Sequence, residues 1–521
     1  MWGVVTTGAK IVLTADRTLM SSYNSSQFIG FAACFPKVLP RWLYTRLFCP
    51  PQHVSAEDRL AIPAGLRRIE SALMGNGFSQ DDVSVAYPTR IDRVVDGSTK
   101  VIGVSTSDPL GLGPASSTFS SLIRREPYTA HFFRELMSSR AVRSGRAKVI
   151  VGGPGVWQLS GERTRRRLNI DCVVEGEGDL VAPKLFEDAV AGRPLPPTVS
   201  GGAVPLEDIP IMRGPSVNGT VEISRGCGRG CEFCNPNMRT VRHIPVGRIL
   251  EEVRMNLGHS RKITLHAEDV LRYGAKGLVP DREKVSSLFA EVAALTDRVG
   301  LSHIALSSAL SEPRLVEDIA EIFDGASRGS RVYAQTGIET GSPELVSKHM
   351  RGKAKPYAPE RWPEIVEESF KLLADNDWVV CGTLVMGMPG ETQDDVRKTL
   401  ELVRSLRPYK SLIVPLFFVP LADMKDGEFF RPEAMLPEHW MLFSECVDHD
   451  FRWAYTLMDE LFRQNRTSSA KARMFRIAAW YMQRRLRPYL EIMREGKSPL
   501  KEVLELEESQ ASGMAQEKAE A

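Results

Sequence analysis

Cys227, Cys231 and Cys234 stand in the run Ile223-Ser-Arg-Gly-Cys-Gly-Arg-Gly-Cys-Glu-Phe-Cys, a Cys-x3-Cys-x2-Cys spacing interleaved with Gly226, Gly228 and Gly230. Three thiolates on a tight glycine loop are able to hold three corners of a cubane 4Fe–4S cluster. The fourth iron then lacks a protein ligand, and an open metal position takes a substrate or cosubstrate. Zinc is the competing reading, but it usually takes four nitrogen or sulfur ligands in paired knuckles. No second Cys-x-x-Cys occurs, and the only nearby histidine is His243. A structural disulfide would leave an odd cysteine.

The chain around this loop has 521 residues, 43% hydrophobic and 25% charged, with a net charge of +2. That is an ordinary globular composition with room for several cores, and it implies no polyanionic partner. We therefore expect no nucleic-acid partner. The other cysteines (Cys34, Cys49, Cys172, Cys381, Cys446) are scattered, as buried thiols are in a reducing cytoplasm. No run of about 18 apolar residues is present, so no membrane partner is expected either. The N-terminus shows no secretory pattern, and a cytoplasmic location is the expectation.

The elements that must position the cysteines follow from periodicity. Residues 218–425 alternate strand and helix, with candidate strands at 219–225, 262–266, 302–307, 331–337, 378–386 and 411–418. Between them, Val246, Ile249, Leu250, Val253 and Leu257 repeat at helical spacing after Pro245 and before Gly258, and Thr392 with Asp395 approaches a capping box. Six such units make a partial (β/α)6 barrel, with the cysteine loop directly after its first strand. Catalytic loops at strand carboxyl ends are the rule in such barrels.

Residues 56–200 read as a second α/β unit, doubly wound and Rossmann-like. Short β-branched runs at 83–87, 101–105, 148–151 and 172–174 alternate with helical stretches. Its loops are Ser105-Thr106-Ser-Asp108-Pro-Leu110-Gly111-Leu-Gly-Pro114, Gly152-Gly153-Pro-Gly155 and Glu175-Gly176-Glu177-Gly178. Ligands bind at the carboxyl ends of strands in open α/β sheets. Residues 1–55 read as an N-terminal extension, 191–217 as a proline-rich linker, 426–505 as a C-terminal helical region, and 506–521 as a disordered tail. The basic runs at 140–148 and 163–167 read as solvated faces, and Cys381 as a core residue.

The cysteine run resembles the signature of radical S-adenosylmethionine (SAM) enzymes, in which the open iron chelates SAM and an electron cleaves it to a 5′-deoxyadenosyl radical. The resemblance covers about 200 residues and continues at successive strand ends. It implies SAM contacts at Phe233, Glu268 and Asp269, Ser307 (with Ser308), Glu339, and Gly387 and Met388. A doubly wound domain before such a barrel resembles the cobalamin-binding subclass. This implies cobalamin contacts at Ser105, Thr106, Asp108, Leu110, Gly111, Gly152, Gly153, Gly155, Glu175, Gly176, Glu177 and Gly178. Glycines there would let backbone amides approach the macrocycle. The Asp-x-His-x-x-Gly motif of histidine-ligating cobalamin proteins is absent; His131 is the only histidine between 56 and 200. Base-off cobalamin without a histidine ligand is therefore expected, with Asp108 or Leu110 facing cobalt.

The implied reaction is C-methylation of an unactivated sp3 carbon by methylcobalamin after hydrogen abstraction, fed by a low-potential electron donor. Leu13-Thr-Ala-Asp-Arg-Thr18 and the 105–114 loop resemble an archaeal, methanogen branch of the subclass. One member of that branch modifies a protein substrate post-translationally, at the α-carbon of a glutamine in the catalytic subunit of methyl-coenzyme M reductase. A cyclase or rearrangement enzyme, a methylthiotransferase acting on a small molecule, lipid or RNA, and a non-enzymatic iron–sulfur carrier are the alternatives. A methylthiotransferase needs a second cluster, for which Cys34, Cys49 and Cys172 are the available but widely spaced ligands.

Overall fold

The computed structural model describes residues 8–23, 28–50, 52, 60–260, 262–464 and 467–500; the expected tail at 506–521 lies outside them. The first unit is a six-stranded, wholly parallel sheet of β1 (Ile11–Ala15), β2 (Val83–Val85), β3 (Val101–Ser105), β4 (Lys148–Gly152), β5 (Cys172–Gly176) and β6 (Thr198–Gly201). All five residues of β1 are buried, as a strand covered by helices on both faces requires.

This corrects the reading of 1–55 as an extension: β1 lies inside the sheet, paired with both β2 and β3. The proline-rich stretch after it hid the connection. The strand order is β2-β1-β3-β4-β5-β6. The order reverses between β1 and β3, and such a switch point opens a crevice at the strand carboxyl ends.

The second unit is the barrel. β7 (Thr220–Glu222) leads into a short hairpin, β8 (Ser224–Arg225) with β9 (Arg242–His243). Then follow β10 (Lys262–His266), β11 (Arg298–Leu301), β12 (Val332–Glu339), β13 (Trp378–Met386) and β14 (Ser411–Phe417). Two three-stranded parallel sheets, β11-β10-β7 and β12-β13-β14, are joined through a parallel bridge between His303 and Gln335. The barrel strands surround the largest apolar core, and the helices Val246–Leu257 and Gln393–Ser405 form where their periodicity and capping box place them.

The third barrel strand, Arg298–Leu301, lies wholly before the expected 302–307, which corrects that reading. Ser302 N–H still donates to the Leu265 carbonyl oxygen (3.0 Å), and Ser302 Oγ adds a bond to the Ala267 carbonyl oxygen (3.0 Å). The Ala305 N–H then donates to Asp269 Oδ1 (3.1 Å), and a helix, Leu306–Ser311, begins there. Ser307 and Ser308 are therefore helical.

Two long helices, Pro437–Gln464 and Ser469–Arg494, make up the C-terminal region; the first buries Trp440, Leu442, Phe443 and Cys446. Among the described residues no helix is long and apolar enough to cross a membrane.

Buried charges lock the two α/β units together. Glu177 pairs with Arg225 and Arg242 (both 2.8 Å), and Asp179 also takes Arg225 (3.1 Å). Arg68 reaches from the first unit to Glu252 and Glu222. The Phe417 N–H, at the end of β14, donates to Thr118 Oγ1 (2.7 Å) on the helix Pro114–Ile123. The switch-point side of the first unit thus sits over the barrel mouth.

Candidate active site at the barrel mouth

The hairpin β8/β9 pins the neck of the cysteine loop, through Ser224 with His243 and Arg225 with Arg242. Inside, the N–H groups of Cys227 and Gly228 both donate to the Met238 carbonyl oxygen (2.9 and 3.0 Å). The Arg272 guanidinium holds the Cys227 carbonyl oxygen. Gly230 has φ +70°, and no atom lies within 4 Å of where a Cβ would be, so the loop leaves open space beside Cys231.

The three thiols lie within one another's field. Burial pushes Cys234 up to about 12, with Cys231 and Cys227 adding to the rise, and burial raises Cys231 as well. Thiols so disposed become thiolates when a metal centre takes the proton's place. Among the described residues no three His, Cys, Asp or Glu side chains converge on one point. The three free thiols on the glycine loop would each take one iron of a 4Fe–4S cluster.

Around the loop the expected SAM contacts divide. Glu268 is exposed and acts electrostatically on Cys234, so its carboxylate is available at the thiols. Asp269 is not: it is buried and bound by Arg229 Nη2 (3.1 Å) and Ser308 Oγ (2.7 Å). Arg229 Nη1 also donates to the carbonyl oxygens of Gly352, Lys353 and Lys355 (3.0, 3.2 and 3.1 Å). This buried clamp ties the cysteine loop to two other barrel loops.

Ser307 Oγ donates to the Lys353 carbonyl oxygen (2.8 Å). Glu339, at φ +65°, pairs with the Lys353 ammonium (2.9 Å). Burial works against that charge, but Glu339 and the thiols Cys231 and Cys234 outweigh it and hold Lys353 above its ordinary range. Gly387 has φ +80°, and a Cβ there would lie 2.0 Å from the Phe430 ring. That residue is glycine because an aromatic ring covers it; Met388 beside it is buried. Phe233 packs partly buried against the barrel core, and Cys381 is a core residue.

Inside the barrel a polar belt crosses four strands. Glu222 lies opposite His266 in register, the His266 and His303 rings are 5.9 Å apart, and His303 bridges to Gln335. Burial, then His266, pushes His303 down to about 4, so its imidazole is neutral at pH 7. Its Nδ1 has no hydrogen-bond partner among the described residues. Sequence reasoning missed Arg229, Lys353 and this belt. Only Arg229, set between two cysteines, carried a local signal.

In the first unit the glycine-rich loops pack against each other. A Cβ on Gly153 would stand 2.5 Å from the Thr106 carbonyl oxygen, and one on Gly155 2.4 Å from the Ser107 carbonyl. Loop–loop contact accounts for glycine at both positions. Gly111 packs on Pro127 and Gly176 on Gly201, while Gly178 meets Ile69.

Asp108 is occupied too, accepting from the Gly113 N–H (2.9 Å) and Gln158 Nε2 (2.7 Å). Leu110 N–H is bound to Gln158 Oε1 (2.8 Å). Glu177 is a domain lock, held ionised by Arg242 and Arg225 against the pull of burial. Glu175 lies half-buried at the end of β5. His131 interacts with Arg134 and Glu126.

What remains at the switch point is a set of buried polar atoms that find no partner among the described residues: Asp16 Oδ2, Thr106 Oγ1 and Ser120 Oγ. Asp16 and Thr106 follow the register-paired Ala15 and Ser105, on either side of the crevice, and Ser105 is half-buried at its edge. Such orphans fit a ligand rich in hydrogen-bonding groups, as the amide-bearing corrin and its nucleotide tail are.

Burial raises the Asp16 carboxyl to about 6. A raised carboxyl stabilises the fold below its unfolded pKa near 4, and that stability is lost as pH rises through 6. Asp16→Asn keeps the Oδ1 acceptor for the Thr18 N–H (2.9 Å). It will flatten the pH dependence of unfolding between about pH 4 and 7 and raise stability at pH 8 by roughly 3 kcal/mol. Urea midpoints at both pH values, with constant m, provide the check.

Comparison with known proteins agrees with this geometry. Residues 221–403 match the model of the Radical SAM superfamily. The chain is 32% identical over 231 residues to a tRNA-2-methylthio-N(6)-dimethylallyladenosine synthase of Carboxydothermus hydrogenoformans, covering 42% of this chain and 49% of that protein. It is 28% identical over 206 residues to the synthase of the same name from Mycobacteroides abscessus, covering 38% of each. The chain thus spans about half, or less, of these relatives' length.

Among solved structures it is similar to the radical S-adenosylmethionine methyltransferase TsrM from Kitasatospora setae, solved with tryptophan substrate and a SAM analogue. The TM-score is 0.52 at 16% identity, covering 80% of this chain and 75% of TsrM. That likeness is one of fold.

Proposed function

We propose that the protein is a cobalamin-dependent radical SAM C-methyltransferase, with a 4Fe–4S cluster on Cys227, Cys231 and Cys234 and cobalamin in the β1/β3 crevice. The carrying observation is the bond from Phe417 N–H to Thr118 Oγ1 (2.7 Å), which sets the crevice over the barrel mouth that holds the cysteine loop. When bound, the cluster supplies the electron that cleaves SAM, and cobalamin supplies the methyl group.

The chain's residues do the rest. Glu268 offers a carboxylate to the SAM amino group. Lys353, held by Glu339, places a cation beside the thiolates, where negative charge accumulates. Asp16, Thr106 and Ser120 hydrogen-bond the cofactor in the crevice. Phe430 and Met388 exclude water above β13. The neutral His303 and the adjoining Gln335 suit an uncharged hydrogen-bonding group next to the reacting carbon. That supports an amide-bearing substrate, and the α-carbon of glutamine in a protein such as methyl-coenzyme M reductase is the first to screen.

The methylthiotransferase reading, favoured by the names of the curated relatives, has less support from the side chains. Cys172 opens β5 at the amino edge of the sheet, whereas Cys34 lies by Ser116 and Asp108 at the carboxyl edge. Cys49 is enclosed by Tyr44 and Tyr23. These three do not form a second ligand set.

The test is anaerobic reconstitution with iron, sulfide and hydroxocobalamin, then gel filtration and mass spectrometry. Near-stoichiometric cobalamin with about four iron atoms per chain, and a one-methylene mass gain on glutamine peptides, support the proposal. About eight iron atoms with no cobalamin would overturn it in favour of methylthiolation.

A further inference from the structure

The outer face of the cysteine loop carries a second feature, which the chemistry above does not use. A concavity of about 490 Å³ is floored by the loop from Gly228 to Gly230 and walled by the segment from Lys348 to Lys355, with none of the three cysteines among the residues that line it.

Its rim is basic: Lys348, Arg351 and Lys355 are exposed, and none forms an ion pair among the described residues. Lys348 Nζ and Arg351 Nε reach only the carbonyl oxygens of Pro389 (3.4 Å) and Ser347 (2.8 Å). The one acid in the wall, Glu232, is bound to His349 Nδ1 (2.7 Å). Floor and wall touch through backbone, since a Cβ on Gly352 would lie 1.9 Å from the Arg229 carbonyl oxygen.

We infer that this basic concavity is the docking site of an acidic one-electron donor protein. The inference rests on the radical SAM reading. Each SAM cleavage consumes one electron: the donor loses it, the cluster gains it, and the cluster passes it into the breaking carbon–sulfur bond. The donor must therefore come close to the cluster. The concavity meets that condition, because its floor is the loop between Cys227 and Cys231. Three unpaired cations around it steer an acidic partner and suit the small, transient interfaces of electron transfer.

The experiment uses the reconstituted holoenzyme and the Lys348→Glu/Arg351→Glu/Lys355→Glu variant. Deoxyadenosine formation is driven in parallel by a reduced acidic flavodoxin and by dithionite. The flavodoxin-driven rate should fall by roughly 10-fold or more in the variant, while the dithionite-driven rate stays within twofold. The wild-type flavodoxin-driven rate should also drop as salt rises. A variant that loses both rates equally, or neither, would overturn the inference, as would a salt-insensitive flavodoxin rate in the wild type. Failure of the radical SAM reading is distinct: the wild type would then form no deoxyadenosine with dithionite.

Discussion

Cys231→Ala protein will emerge from anaerobic reconstitution without its iron and will form no detectable 5′-deoxyadenosine from SAM, yet it will still bind cobalamin. Cys231 is the buried member of the trio, 8% exposed, beside the open space at Gly230. A cubane that loses one of three protein ligands leaves two irons open, and the residual pair of half-buried thiols cannot hold it against solvent. Iron should fall from about four per chain to near zero, with loss of the charge-transfer absorbance. The cobalamin crevice draws on β1, β3 and the helix Pro114–Ile123, none of which touches the thiols, so its occupancy should be unchanged. Cys381→Ala is the control: that thiol is packed inside β13 with no polar partner, and its loss should cost about 1–2 kcal/mol of stability with iron retained. An iron-loaded Cys231→Ala protein, or a Cys381→Ala protein without iron, would remove the basis for placing the cluster.

How much of this was legible in the sequence depended on the range of the determining interactions. The cysteine loop, the helix Val246–Leu257 and the capping box at Thr392 are encoded within a dozen residues, and they form where their spacing puts them. β1 lies far in sequence from both strands it pairs with, so the segment 11–15 gave a strand but not its neighbours. The third barrel strand sits at 298–301, ahead of the apolar run at 302–307, where Asp269 Oδ1 takes the Ala305 N–H (3.1 Å) and a helix begins, a tertiary contact invisible in hydrophobic periodicity. The glycine loops of the first unit were correctly read as turns; their cause is the close approach of 152–155 to 105–109, a tertiary fact. Lys353 carried no local signal at all, since it reaches the thiols only because the chain after the helix Pro343–His349 returns over the barrel mouth.

The adjacent acids Glu268 and Asp269 show the same limit, and they lead to the second large effect. Sequence resemblance assigned both to the SAM amino group, whereas the structure uses Asp269 to anchor Arg229. Arg229→Met removes the bonds to three carbonyl oxygens, to Asp269 and to Ser308, and leaves a carboxylate with a 2% exposed side chain without its cation. Breaking a buried pair in this way costs about 3–5 kcal/mol. Because the clamp orients the loop between two of the cluster ligands, SAM cleavage should fall by roughly 10–100-fold even in molecules that keep their iron, as loss of outer-sphere support typically does.

Arg229→Lys cannot span five acceptors with one ammonium, so it should recover part of the stability but little of the rate. Two further variants divide the acids by role. Asp269→Asn should lose stability with Arg229 left unpaired, and its KM for SAM should change less than its kcat. Glu268→Gln should leave the melting temperature in place and raise the KM for SAM, because its side chain is exposed, acts on Cys234 through charge, and makes no hydrogen bond or ion pair among the described residues. The reverse pattern, a raised KM in Asp269→Asn with unchanged stability, would return Asp269 to the substrate and dissolve the clamp as an organising element of the site.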